Sequence, residues 1–263
     1  MAYLLSFSAQ NCQSKRISLS ATALGHNICL TVGIALLPVL DDQNRLKQIL
    51  SSKILNSSYF SDISCTVSLN RNSFISEGCS DRVMLMSSKA TVNSDDLIKV
   101  PAKIKYVFKN EKFARVLEKS FPAYSKWNFL DTSEKKDSIA SDLKLSTDDI
   151  RSLLSYFVII ETCEPTRLTP LDAFKLSSDI TVGTSISVTG KNSPRCCTYI
   201  FRLHLNIISG TPFADLCPSV FYNSISSGIL CNKFGPEGEL LLFDARCVPG
   251  CEGGTLYCET NSK

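Results

Sequence analysis

Histidine is scarce in this sequence: only His26 and His204 occur among 263 residues. So small a supply argues against His-rich metal sites and leaves little room for imidazole acid–base chemistry. Tryptophan occurs once, at Trp127, so the aromatic content rests on 14 phenylalanines and 8 tyrosines. Excess charge is lacking too. A net formal charge of +3 does not demand a polyanionic partner, and any attraction to nucleic acid or membrane must come from local clustering. The phosphate-cradling GxxxxGK[ST] loop, the GxGxxG fingerprint, HExxH and GxSxG do not occur. The opening MAYLLSFSAQ has no basic n-region and only a short apolar run, which reads as no secretory signal. Residues 17–40 hold no Asp, Glu, Lys or Arg, but Ser, Thr, His, Asn and Pro punctuate them. A membrane span wants about 20 predominantly apolar residues, so the pattern predicts two strands joined at 25–27 instead.

What the sequence does have is cysteine, twelve of them. Without an export signal most of them read as reduced, buried, small hydrophobes in a cytosolic or nuclear protein rather than a disulfide framework. The hydrophobic fraction of 44% and charged fraction of 20% are those of a folded chain.

Periodicity divides the chain in two. DISCTVSLN (62–70) alternates strictly, with Ile63, Cys65, Val67 and Leu69 on one face, which predicts a half-buried strand. RISLS and RVMLM are shorter candidates. A helix is predicted over 41–55, capped by Asp41 or Asp42, with Leu46, Ile49, Leu50 and Lys53/Ile54 at helical spacing. A second helix over 109–121 carries Phe113, Val116, Leu117 and Phe121 on its apolar side. A charged linker follows at 125–145, and Ser146 and Asp149 stand like a capping box. DITVGTSISVT (179–189), FRLHLNI (201–207) and the segments flanking GPEG (235–238) predict further strands, the last pair as a hairpin. The expected fold is therefore α+β and mostly β. Two antiparallel sandwich-like domains, residues 1–125 and 146–263, are joined by the linker.

The clearest electrostatic feature spans 99–126. Lys99, Lys103, Lys105, Lys109, Lys112, Arg115, Lys119 and Lys126 face only Glu111 and Glu118, a local excess of six positive charges. Such a patch would attract phosphates of nucleic acid or anionic lipid; the plainer alternative is a solvated face. The second constellation is CVPGCEGGTLYC (247–258). With Cys231, the thiols Cys247, Cys251 and Cys258 make a possible zinc set, but only Cys247 and Cys251 have the tight spacing of a zinc pair. A reduced, buried reading of these cysteines and a glycine-tight turn explain the stretch better. No metal and no cofactor are expected.

PGCEGG also resembles the nucleophile turn of chymotrypsin-like viral cysteine proteases, with His26 upstream in the required order. It departs from their Gly-Asp-Cys-Gly-Gly pattern because Glu252 separates Cys251 from the double glycine. The 12 residues after Cys251 also leave no room for the strands that complete such a pocket. In outline, a β-rich half, a charged linker and a second β-rich half resemble the matrix proteins of pneumoviruses and other nonsegmented negative-strand RNA viruses. The richness in Ser, Leu, Ile, Asn and Cys fits a viral product. That resemblance implies a non-enzymatic structural protein that self-assembles and contacts anionic membrane and nucleocapsid or RNA through the basic segment. It would lie in the host cytoplasm at the inner membrane face, in the virion, or in the nucleus, with no small-molecule substrate. The alternatives are an RNA-binding accessory protein of movement or silencing-suppressor type, and the cysteine protease.

Overall fold

The computed structural model describes residues 2–9, 12–24, 27–40, 42–70, 97–120, 146–163, 185–187, 196–199, 209–210, 224–245 and 251–259. In chain order these form strands β1 (Ala2–Ala9), β2 (Cys12–Ala23) and β3 (Ile28–Val32), a 3-10 segment (Gly33–Val39), helix α1 (Gln43–Ser51) and strand β4 (Ile54–Asn56). A short 3-10 turn (Ser57–Phe60), β5 (Ile63–Asn70), β6 (Leu97–Lys109), α2 (Glu111–Ser120), α3 (Thr147–Leu153) and β7 (Tyr156–Thr162) follow. The remaining strands are β8 (Ser185–Ser187), β9 (Cys196–Tyr199), β10 (Ser209–Gly210), β11 (Ser224–Ile225), β12 (Ser227–Phe234), β13 (Leu240–Phe243) and β14 (Leu256–Glu259).

β6, β5, β1, β2, β3 and β7 pair antiparallel in that order, and β6 also pairs with β7. The sheet therefore closes into a six-stranded barrel, with β4 attached to β6. This corrects the expected sandwich while keeping the mostly-β class. Alternation along a strand says which residues turn inward; it does not say whether the sheet stays open or closes. β7 lies beyond the expected linker, yet it seals the barrel of the preceding strands.

The barrel interior holds Leu5 and Phe7 of β1, Leu19, Ala21 and Ala23 of β2, Cys65 and Val67 of β5, and Val158 and Ile160 of β7. Leu36, Leu40, Leu46, Ile49 and Phe60 join the same cluster from the 3-10 segments and α1. A bulge in β6 between Ile104 and Tyr106 shifts the register. Val100 and Ile104 point inward before it, and Val107, one position out of phase, points inward after it. That extra residue is why Tyr106 stands 39% exposed where strict alternation would bury it.

A second apolar cluster lies outside the barrel. Leu30, Val32 and Phe157 pack with Phe113, Val116 and Leu117 of α2, Leu154, and Leu240 of β13. Asn110 caps α2 by accepting the Phe113 amide at 3.0 Å. The predicted capping box of α3 is present: Ser146 Oγ accepts the Asp149 amide at 3.1 Å, and the Asp149 carboxylate accepts the Ser146 amide at 3.0 Å. α1 is shorter than predicted. Asp42 caps it, Ser52 is extended, and Ile54 lies on β4, 63% exposed. The hairpin about 235–238 forms as β12–β13, with Gly235 and Gly238 at φ 88° and 69°. The expected strands at 82–86 and 201–207 lie outside the described residues. Among the described residues no helix is long and apolar enough to cross a membrane, and residues 17–40 supply parts of β2 and β3 and the first 3-10 segment.

Arg45 ties α1 to the barrel. Its guanidinium donates to both Asp62 oxygens at 2.6 Å and to the Tyr59 carbonyl at 2.8 Å. The hydrogen bond from Arg45 is the main reason the Asp62 carboxyl is held below the usual carboxylate range. A carboxylate depressed in the folded state adds stability above its unfolded pKa and loses it as pH falls through the folded value. Asp62 is 45% exposed, so solvent screening limits this to about 1 kcal/mol or less. Arg45→Met should therefore flatten the loss of thermal stability between about pH 5 and about pH 2. Melting curves for both proteins with equal acid slopes would contradict this.

Candidate functional site

The glycine-rich stretch near residue 250 is where the C-terminal part meets the barrel. The Gly254 amide donates to the Cys251 carbonyl at 3.0 Å, and Gly253 sits at φ 80°. That combination is the pattern of a type II turn, with glycine where a left-handed residue is required. Glu252 is exposed at its apex, whereas Cys251, Gly253 and Thr255 are buried.

The turn is seated on the outer face of β2. The Ser20 amide donates to the Glu252 carbonyl at 3.1 Å. Thr22 Oγ1 donates to the Gly253 carbonyl at 3.0 Å and lies 2.9 Å from Thr255 Oγ1. Thr31 Oγ1 donates to the Ser20 carbonyl at 3.0 Å. Beside them Ser6 and Ser18 share a 2.9 Å hydroxyl–hydroxyl bond. Ser18, Ser20 and Thr22 alternate with the core residues Leu19, Ala21 and Ala23, and all six are buried. β2 is thus covered on both faces, one by hydrocarbon and one by hydroxyls. A Cβ on Gly253 would run into the Thr31 hydroxyl and the Ser20 carbonyl.

The other expected site residues are dispersed. Of the possible zinc set, Cys231 is exposed on β12, Cys251 is buried in the turn, Cys258 lies on β14 opposite Cys197, and Cys247 lies outside the described residues. Among the described residues no group of three or more His, Cys, Asp or Glu is placed to hold a metal. The barrel thiols are unreactive in character: burial pushes Cys29 up to about 12 and raises Cys65 as well. Cys163 and Cys231 are exposed, exceptions to the reading of most cysteines as buried. His26 and His204 lie outside the described residues.

The basic segment is partly neutralised. Lys103 and Lys105 of β6 both reach one carboxylate, Glu161 of β7, at 3.8 and 2.8 Å. The Lys105 hydrogen bond holds the Glu161 carboxyl below its ordinary range, and the same bond raises Lys105. Lys112 pairs with Glu237 of the β12–β13 turn at 3.1 Å. Lys99, Arg115 and Lys119 are exposed and Lys109 is half-buried; Lys126 lies outside the described residues. The sequence window hid these partners because Glu161 and Glu237 are distant in the chain.

Two curated proteins share a segment with this chain. The peroxisomal leader peptide-processing protease of Homo sapiens is 49% identical over 51 residues, 19% of this chain and 8% of that protein. Its Mus musculus counterpart is 52% identical over 48 residues, 18% of this chain and 8% of that protein. The match thus spans under a tenth of those relatives. No family model matches. Among solved structures, Deg5 aligns over 96% of this chain and 72% of its own at 12% identity and TM-score 0.39. The apo MamO protease domain of Magnetospirillum magneticum aligns over 96% and 76% at 6% identity and TM-score 0.37. Scores that low do not define a fold.

The segment shared with the mammalian processing proteases overturns the matrix-protein resemblance, and with it the reading as a non-enzymatic viral structural or accessory protein. The protease alternative lies nearer. Set in register on the double glycine Gly253–Gly254, the Gly-Asp-Cys-Gly-Gly pattern places Glu252 at the nucleophile position and Cys251 one residue before it. In the structure Cys251 is only 7% exposed, and Glu252 stands exposed at the apex of the turn.

Gly253→Ala should destabilise the protein by about 2 kcal/mol or more, from left-handed strain of about 1–2 kcal/mol plus the steric conflict. Urea unfolding of the two proteins measures it. A difference below about 0.5 kcal/mol, the size of an ordinary surface substitution, would show that the turn is not seated as described.

Proposed function

We propose that this chain is part of an intracellular peptide-processing protease of the trypsin-like class, acting on leader-type peptides in the peroxisome or cytoplasm. The observation that carries this reading is the 51-residue segment, 49% identical to the human leader peptide-processing protease. The closed antiparallel barrel with a glycine turn docked on its outer face supports it. Proteases built on chymotrypsin-type β-barrels likewise rely on a rigid glycine turn to aim backbone amides at a developing oxyanion.

The turn's contribution is geometric. Its apex side chain is a carboxylate, and its thiol is buried, so neither supplies an accessible hydroxyl or thiolate to a peptide carbonyl. A covalent route would draw its nucleophile from outside Cys251–Gly254. The test uses protein purified from its native source, so that any flanking sequence is kept, and peptides spanning a leader cleavage site. Cleavage at one bond is expected, blocked by a covalent serine- or cysteine-protease inhibitor whose adduct maps outside residues 251–254. Absence of cleavage where the human processing protease cleaves the same peptide would overturn the proposal.

A further inference from the structure

We infer that Thr22, backed by Thr255, is a positioning residue for the Cys251–Gly254 turn: a two-hydroxyl latch that holds the turn on β2 and keeps Cys251 shielded. Each hydroxyl has one proton to give. Thr22 donates its proton to the Gly253 carbonyl, so the 2.9 Å contact between the two hydroxyls is donated by Thr255. The order is fixed: Thr255 gives to Thr22, and Thr22 gives to Gly253. Chained hydrogen bonds in a dry site reinforce one another, and removing the middle member strands both ends. The site is dry, since Thr22 is 6% exposed and Thr255 2% exposed.

The backbone adds a separate anchor: the Ser20 amide donates to the Glu252 carbonyl, and the Gly254–Cys251 bond is internal to the turn. Thr31 fixes the platform by donating to the Ser20 carbonyl, and its hydroxyl occupies the space a Cβ on Gly253 would need. Gly253 is therefore clasped from both sides: its carbonyl by Thr22, its α-carbon by Thr31. The consequence for catalysis rests on the protease reading, in which a displaced turn would lower kcat more than it raised KM. The latch itself does not depend on that reading.

Cys251 reports on the latch directly. Buried when the turn is seated, it becomes open to alkylation when the turn lifts, while Cys29 and Cys65 in the barrel core report global opening. Iodoacetamide labelling of native protein, read residue by residue by mass spectrometry, is compared for wild type, Thr22→Val and Thr22→Ser. Thr22→Val, nearly isosteric but without the hydroxyl, should raise the Cys251 rate about tenfold, as loss of a buried hydrogen bond predicts. Cys29 and Cys65 should stay at their wild-type rates, and Thr22→Ser should restore protection of Cys251. Thr22→Val labelling Cys251 at the wild-type rate would overturn the latch. So would a parallel rise at Cys29 and Cys65, or failure of Thr22→Ser to restore protection. Because labelling needs no substrate, a negative leader-peptide assay leaves this result standing.

Discussion

The pairing of β6 with both β5 and β7 is the constraint on which the rest of the structure depends. An open sheet of these strands would leave two unpaired edges and a hydrocarbon face to cover. Closure removes the edges among the six strands and turns Leu5, Phe7, Leu19, Val67, Val107 and Val158 toward one another. It also fixes which residues face outward, and so where the C-terminal segments can attach. The bulge in β6 belongs to this closure: it lets one long strand change phase while serving β5 along its first part and β4 and β7 along its second.

Two outer surfaces then receive the C-terminal part by different physics. Leu30, Val32 and Phe157 offer an apolar patch that α2 covers and Leu240 completes. Burial of that kind is strong but tolerant of small shifts. The β2 face offers hydroxyls, which are costly to bury unless each finds its partner. Ser20, Thr22 and Thr31 therefore gain most from one placement of the turn. Hydrocarbon supplies adhesion, and hydroxyls supply registry.

Local structure was legible in the sequence wherever it depended on neighbours in the chain. The alternation of Ile63, Cys65 and Val67, the apolar stripe of Phe113, Val116 and Leu117, the Ser146–Asp149 box and the Gly235–Gly238 turn all form as their spacing indicates. What stayed hidden depends on residues far apart. Barrel closure needs β6 to find β7, and no periodicity encodes that. Nothing near Ser18, Ser20 and Thr22 in the chain marks them for burial, yet Gly253 and Thr255, more than 200 positions later, cover Thr22. The lysines of 99–126 read as one patch because a sequence window does not contain Glu161 or Glu237. The glycines of PGCEGG were correctly attributed to tight geometry, and Gly253 shows it. That Glu252 forms the exposed apex emerged only when the turn was placed.

The doubly covered β2 also bears on how the molecule is made. Every strand of the barrel has been synthesised once Thr162 has been added, well before the turn at Cys251 exists. Domains tend to fold as units from the N-terminal side during synthesis. The barrel is thus expected to assemble first and to wait with its row of serine and threonine hydroxyls wetted by water. Docking of the turn is then a late desolvation step on a preformed template. A nascent chain would carry this polar face safely, because exposed hydroxyls do not attract other unfolded chains as an exposed row of leucines would. The same composition that gives the joint its registry protects it during translation.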